Sequence, residues 1–151
     1  MKTLQVFNGD LVLNNGGSLQ FVQGNNKLVQ DLALWLKEPY GTGTTTPSFG
    51  STLVNMVGQP DSSVLVAQVQ NEVSRVLNLY RSQQLLNLQN AQTSSQLSFW
   101  NKSEIINTIN SIQVSPNITS IIIYVNITTL AGSTVSLSLT AGPNGIQVSN
   151  G

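Results

Sequence analysis

Between Ile118 and Leu139 the sequence repeats with a period of two. Ile121, Ile123, Val125 and Ile127 are apolar while the alternate positions turn polar at Asn126 and Thr128. After Ala131-Gly132-Ser133 the pattern resumes as Val135, Leu137 and Leu139, separated by Ser136 and Ser138. Successive side chains of an extended backbone point to opposite faces, so this pattern predicts an antiparallel hairpin with one apolar and one polar face. A two-stranded hairpin is marginal in water, and its apolar face needs a cover. The remainder of the chain must supply that cover.

Two segments carry helical spacing. Leu28, Leu32, Trp35 and Leu36 share one face of a helix expected over Lys27 to Lys37, capped by Asn25 or Asn26 and ended by Pro39. Asp61-Ser62-Ser63 opens a second, longer helix with a stripe of Val66, Val69, Val73, Val76, Leu77 and Tyr80 that extends toward Leu88. Gln83 to Ser98 is rich in Gln, Asn and Ser, which marks either a frayed helix end or an inserted loop, and its end, Asn90 to Ser98, reads as loop. A short helix is expected to start at Asn101, Ser103 or Glu104 and to run to about Ile109, before the chain turns extended at Ile112 to Val114.

At the N-terminal end, Leu4 to Phe7, Asp10 to Leu13 and Ser18 to Val22 read as short strands, broken by turns at Asn8-Gly9 and at Asn14-Asn15-Gly16-Gly17. Tyr40 to Ser51 is a Gly- and Thr-rich loop leading into a helical stretch at Thr52 to Val57, and Gly142-Pro143-Asn144-Gly145 is a last turn before Ile146 to Val148, a final strand or tail. The expected class is α+β: helices packed on a small, mostly antiparallel sheet with a C-terminal β-hairpin. One domain is expected over residues 1–151, with an N-terminal hairpin region at 1–24, a helical part at 25–112 including a loop at 83–99, and the C-terminal hairpin and tail at 113–151.

Composition narrows function. Charged residues make up 8% of the chain, against about 25% in an ordinary soluble domain, and six bases cancel six acids. No basic cluster exists for nucleic acid or anionic lipid, and no run of apolar residues approaches a membrane span or a secretory signal. The expected partners therefore include neither nucleic acid nor membrane, and the expected place of synthesis is the cytosol.

With no His and no Cys, the usual base of a nucleophilic triad and the common zinc ligand sets are missing. The six carboxylates are Asp10, Asp31, Glu38, Asp61, Glu72 and Glu104. Asp31 and Glu38, seven apart, could converge as a glycosidase pair, but turn, cap and helix-end positions give most of the six ordinary structural roles. Gly41-Thr42-Gly43-Thr44 lacks the strand and lysine of a phosphate-binding loop. We expect no catalytic residue, cofactor, metal or small-molecule substrate. Trp35 falls on the apolar helix stripe and reads as core, whereas Trp100 follows a polar loop and suits an interface as well as a core.

The order of these features resembles the sheath-initiator family of contractile tails, the gene-product-25-like baseplate wedge proteins of phages, with relatives in type VI secretion and tailocins. The resemblance rests on an N-terminal hairpin, a helix with Gln30 and Leu36 followed by Gly41, and the heptapeptide Pro47-Ser48-Phe49-Gly50-Ser51-Thr52-Leu53. That heptapeptide is similar to the family's Pro-x-Phe-Gly-Ser-x-Leu. A long helix, the spaced Ile109, Ile112 and Val114, and a C-terminal hairpin complete a likeness over about residues 10–140. Where the family places Glu-Pro-Arg, this chain has Glu104-Ile105-Ile106, and Gln83 to Phe99 looks like an insertion.

The resemblance implies a structural protein of the virion, assembled in the host cytoplasm, with a copy in each wedge of a tail baseplate. Its implied partners are the wedge proteins and the tail sheath protein, with the tail tube or hub as further candidate neighbours. It implies that sheath arms add as strands to the C-terminal sheet, for which Asn126, Thr128, Ser136 and Ser138 are the candidate residues. Pro47, Phe49, Gly50, Leu53, Trp100 and Glu104 are the candidates for a rigid elbow or a wedge contact. Two alternatives stand beside it: a lysozyme-like muramidase, and a regulatory adaptor of the same fold.

Overall fold

The computed structural model of the chain describes residues 1–7, 10–95 and 100–151. Four short strands, β1 (Thr3–Leu4), β2 (Val6–Phe7), β3 (Asp10–Leu11) and β4 (Phe21–Val22), lead into α1 (Asn25–Lys37), a 3₁₀ turn at Leu53–Met56 and α2 (Ser63–Thr93). A second 3₁₀ turn at Lys102–Glu104 precedes β5 (Ile106–Pro116), β6 (Ile121–Thr129), β7 (Thr134–Gly142) and β8 (Gly145–Asn150), which form one antiparallel sheet in that order. The class is α+β, with helices packed on an antiparallel sheet.

The period-two reading holds in detail. Ile121, Ile123, Val125, Ile127, Val135, Leu137 and Leu139 are all buried, and Ile123 faces Leu139, Val125 faces Leu137 and Ile127 faces Val135 across the ladder. Leu28, Leu32 and Leu36 of α1, Val69, Val73, Val76 and Leu77 of α2, and Leu53 of the 3₁₀ turn complete the same core from the helical side. Each such side chain, buried from water, contributes about 1.5–3 kcal/mol before entropy is counted.

Several boundaries differ from expectation. Gly24, at φ 66°, precedes α1 instead of an asparagine cap, and Asn25 accepts a bond from Ser133 Oγ at 3.1 Å. Positive φ is cheap for glycine, and the helix begins at Asn25, two residues before the expected Lys27. Ser62 caps α2 through its Oγ, which accepts from Leu65 N–H at 3.1 Å, and Leu65 is buried where Val66 is half-buried. The helix then runs to Thr93, so 83–93 are not a loop. Gln84 and Ala91 continue the buried stripe with a polar and a small side chain, which a search for large apolar residues passes over. The remainder of the expected 83–99 loop falls partly at 96–99, outside the described residues, as does the turn at Asn8-Gly9.

The expected helix at 101–109 is also corrected, and with it the boundary of the helical part at 112. After the single turn Lys102–Glu104 the chain is already extended from Ile106. The β5 register on β6 shifts between Ile106 and Thr108 and again between Ile109 and Ser111, leaving Asn107 and Asn110 without partners. Each bulge inserts one residue into the strand, so Ile106, Ile109 and Ile112 recur every three positions and imitate a helix. The C-terminal hairpin begins at Ile121, with Ile118 93% exposed in the preceding turn, and the residues after Gly145 form β8.

Candidate docking surface

The four residues expected to receive a strand lie in the middle of the sheet. Asn126 and Thr128 are on β6 and Ser136 and Ser138 on β7, and each of these strands has a partner on both sides. Their backbone groups are therefore committed to the ladder. Their side chains build a polar network across the solvent face: Asn110 Nδ2 donates to Asn126 Oδ1 at 2.6 Å and to Thr128 Oγ1 at 2.8 Å, and Asn126 Nδ2 donates to Ser136 Oγ at 3.1 Å. The assignment of strand addition to this hairpin is corrected by topology: the edges are β5 and β8.

The two edges differ. On β8, Gly151 N–H donates to Ser136 C=O at 3.0 Å, which fixes the phase of the ladder. Antiparallel alternation then turns the N–H and C=O of Ile146, Val148 and Asn150 away from β7, where nothing in the described chain bonds them. On β5, Asn117 N–H donates to Ser120 C=O at 2.7 Å, so Ile112, Val114 and Pro116 face outward. Gln70 of α2 donates to the Ile112 carbonyl at 3.2 Å, Pro116 has no N–H to offer, and two bulges interrupt the strand before them. Bulges, proline and cover are the usual devices that blunt an edge.

Beside β8 lies a groove of 660 Å³ between α1 and the N-terminal strands, lined by Val6, Phe21, Val29, Ala33, Leu34 and Val148 among others. Phe7 is 70% and Phe21 61% exposed along its rim. The N-terminal strands are fixed to α1 by Gln30, whose Oε1 accepts from Val6 N–H and whose Nε2 donates to Leu4 C=O, both at 2.9 Å. One amide thus pairs with the backbone as a neighbouring strand would.

The elbow residues are together, with different exposures. Leu53 is fully buried, Pro47 is exposed, and half-buried Phe49 packs edge-on against Trp35 at 4.7 Å between ring centroids. Gly50 has φ 99°, and a Cβ there would stand 2.5 Å from the Glu38 carbonyl oxygen, so this close approach to the end of α1 requires glycine. Ser51 N–H donates to that carbonyl at 2.8 Å and Ser51 Oγ to Leu36 C=O at 2.6 Å. From α2, Arg75 donates to Gly50 C=O at 2.9 Å and Glu72 accepts from Thr52 N–H at 2.8 Å. The Arg75 guanidinium holds the Glu72 carboxyl below its ordinary pKa, and Glu72 raises that of Arg75 in return.

Trp100 is half-buried in a second cleft of 530 Å³ that also holds Trp35, Phe49, Tyr80, Asp31 and Glu104. Glu104 is 3% exposed: its carboxylate accepts from Gly24 N–H at 2.8 Å and from the Met1 ammonium at 3.1 Å. This internal pairing removes it from the set of charges a partner could meet. Asp31 pairs with Lys27 and accepts from the Tyr80 hydroxyl at 3.0 Å. Burial first, and the Asp31 charge second, push the Tyr80 phenol far above its ordinary pKa.

Sequence reasoning missed Gln84. Its Nε2 donates to Glu104 C=O at 2.6 Å and its Oε1 accepts from Ile106 N–H at 3.1 Å, fixing the start of β5 to α2. Its position four after Tyr80 on the buried stripe was the available signal. Comparison with protein-family models, characterised proteins and solved structures finds no match to this chain.

Proposed function

We propose that this chain is a non-catalytic assembly protein that receives an extended segment of another chain on β8. Its proposed setting is the baseplate wedge of a contractile tail, where such a contact would start the sheath. The open N–H and C=O row of β8 carries the docking part of this reading. The setting is supported by the elbow Pro47 to Leu53, similar to the sheath-initiator heptapeptide, and by the order of the elements around it.

The muramidase alternative has one observation of its own: Asp31 and Glu104 line the same aromatic cleft. Against it, Asp31 is engaged by Lys27 and Tyr80, and Glu104 is buried under Gly24 and Met1. No observation favours the adaptor alternative separately.

The test is particle composition. If the reading is right, tail particles made with this chain contain it in the baseplate, and its deletion yields tails without sheath. A soluble complex with a single regulatory partner would replace the reading with the adaptor, and release of peptidoglycan fragments by the purified protein would replace it with the muramidase.

A further inference from the structure

We infer that β8 selects its partner by sequence pattern: the occupant is an extended segment of a different protein whose side chains alternate apolar and small polar, with an acidic residue at one end. This inference rests on the docking reading above and specifies the partner's chemistry.

Only an extended chain can satisfy outward N–H and C=O groups at Ile146, Val148 and Asn150 at two-residue spacing. A strand laid there presents alternate side chains to opposite faces. On the helical side they meet Val29, Ala33 and Leu34 of α1 and Val6 and Phe21 of the N-terminal strands, an apolar wall that the core of this chain does not fill. On the other side they extend the solvent face that β8 and β7 present through exposed Gln147, Ser149 and Thr140, where small polar residues fit. Among the described residues, Lys37 is the one charged residue lining the groove, and no carboxylate among them lies within ion-pair distance of it. A carboxylate at the corresponding end of the incoming strand would complement it.

The other edge excludes the same occupant. Gln70 holds the Ile112 carbonyl, Pro116 has no donor, and the bulges at Asn107 and Asn110 break the register a regular strand would need. The sheet therefore accepts on one side only, so β5 of one copy cannot add to β8 of another and extend into a filament of this chain alone. A second copy joining β8 to β8 would bring its own N-terminal strands and α1 to the groove that these elements already wall.

The experiment tethers candidate strands to the full chain. Beyond Gly151, a Gly/Ser linker of about five residues leads to a strand of about seven in three versions: Val and Thr alternating with a terminal Glu, the same residues in blocked order, and Gly/Ser alone. Backbone amide exchange is read at Val148 and at Val114. We expect the alternating strand to slow Val148 at least tenfold relative to Gly/Ser, to leave Val114 unchanged, and to lose most of its effect in Phe21→Ser, a substitution at an exposed position. Equal protection by the blocked order would overturn the pattern selection while leaving β8 as an edge acceptor. No protection of Val148 by any version would overturn the docking reading as well. Protection at Val114 would refute one-sidedness, and a dimer of the untethered chain joined through β8 would make a second copy the occupant.

Discussion

The two edges of the sheet come from strands of similar composition and have opposite fates. β5 contains Ile, Asn, Ser and Thr in a run of 11 residues, and β8 is a run of 6 with the same polar character. Length would make β5 the better template for a partner. Its bulges, its terminal proline and the amide of Gln70 make it the poorer one. In a chain with 8% charged residues, the usual lysine on an edge is replaced by backbone irregularity and by glutamine. The open edge is the one beside the apolar groove, and that coincidence of an unpaired ladder with an unfilled wall supports the proposed docking on β8.

The largest effect expected on this comparison comes from Gln84→Ala. It strips partners from the buried Glu104 carbonyl and Ile106 N–H, and should cost about 3 kcal/mol in denaturant unfolding. Amide exchange should quicken at the start of β5 and not at β8. Equal quickening on both strands would show that the edges are not stabilised separately.

Phe49→Ala should cost about 2 kcal/mol, less than the 3–5 of a fully buried phenylalanine, because the ring is half-buried on Trp35. The elbow lies in the helical layer, so thermal stability should fall while strand acceptance at β8 persists. Loss of acceptance with unchanged stability would move the docking surface to the elbow.

Gln70→Ala should cost about 1 kcal/mol and free the Ile112 carbonyl. Weak self-association through β5, seen by light scattering at high concentration, is the expected result. A strictly monomeric variant would show that the bulges and Pro116 guard that edge without the glutamine.

The smallest effect is electrostatic. The Glu72 carboxyl is held below its ordinary pKa by Arg75, so the stability it contributes is present above the unfolded value of about 4.3 and is lost as pH falls through its lower folded value. Glu72→Gln should flatten that acid limb. None of the outward-facing residues of β5 or β8 titrates, so the contrast between the edges should persist across the same pH range. Acceptance of an alternating strand that lacks the terminal Glu, if it follows the acid limb, would tie docking to the elbow.

How much of this was legible follows from the physics of each signal. The alternation from Ile121 to Leu139 reports a local geometry that nothing interrupts, and the structure follows it residue by residue. The Leu28, Leu32, Leu36 stripe is equally local, whereas the glycine of the elbow is required by the Glu38 carbonyl and stood out only through the resemblance of its heptapeptide. The bulges of β5 were not legible, since inserting Asn107 and Asn110 converts a two-residue period into a three-residue one. Nor was the far end of α2, where the buried positions are Gln84 and Ala91. Edge status is a property of strand order, and strand order depends on contacts between segments distant in sequence. The hairpin was recognisable, but its central place between β5 and β8 was not.

Paired proline substitutions separate the two edges, because each removes one outward N–H and leaves the ladder bonds of its strand intact. Val148→Pro and Val114→Pro should both remain folded by thermal unfolding and both enter baseplates. If β8 is the accepting edge, Val148→Pro particles lack sheath while Val114→Pro particles carry it. Sheath on the Val148→Pro particles, or its loss only from Val114→Pro, would contradict the assignment of β8 as the accepting edge.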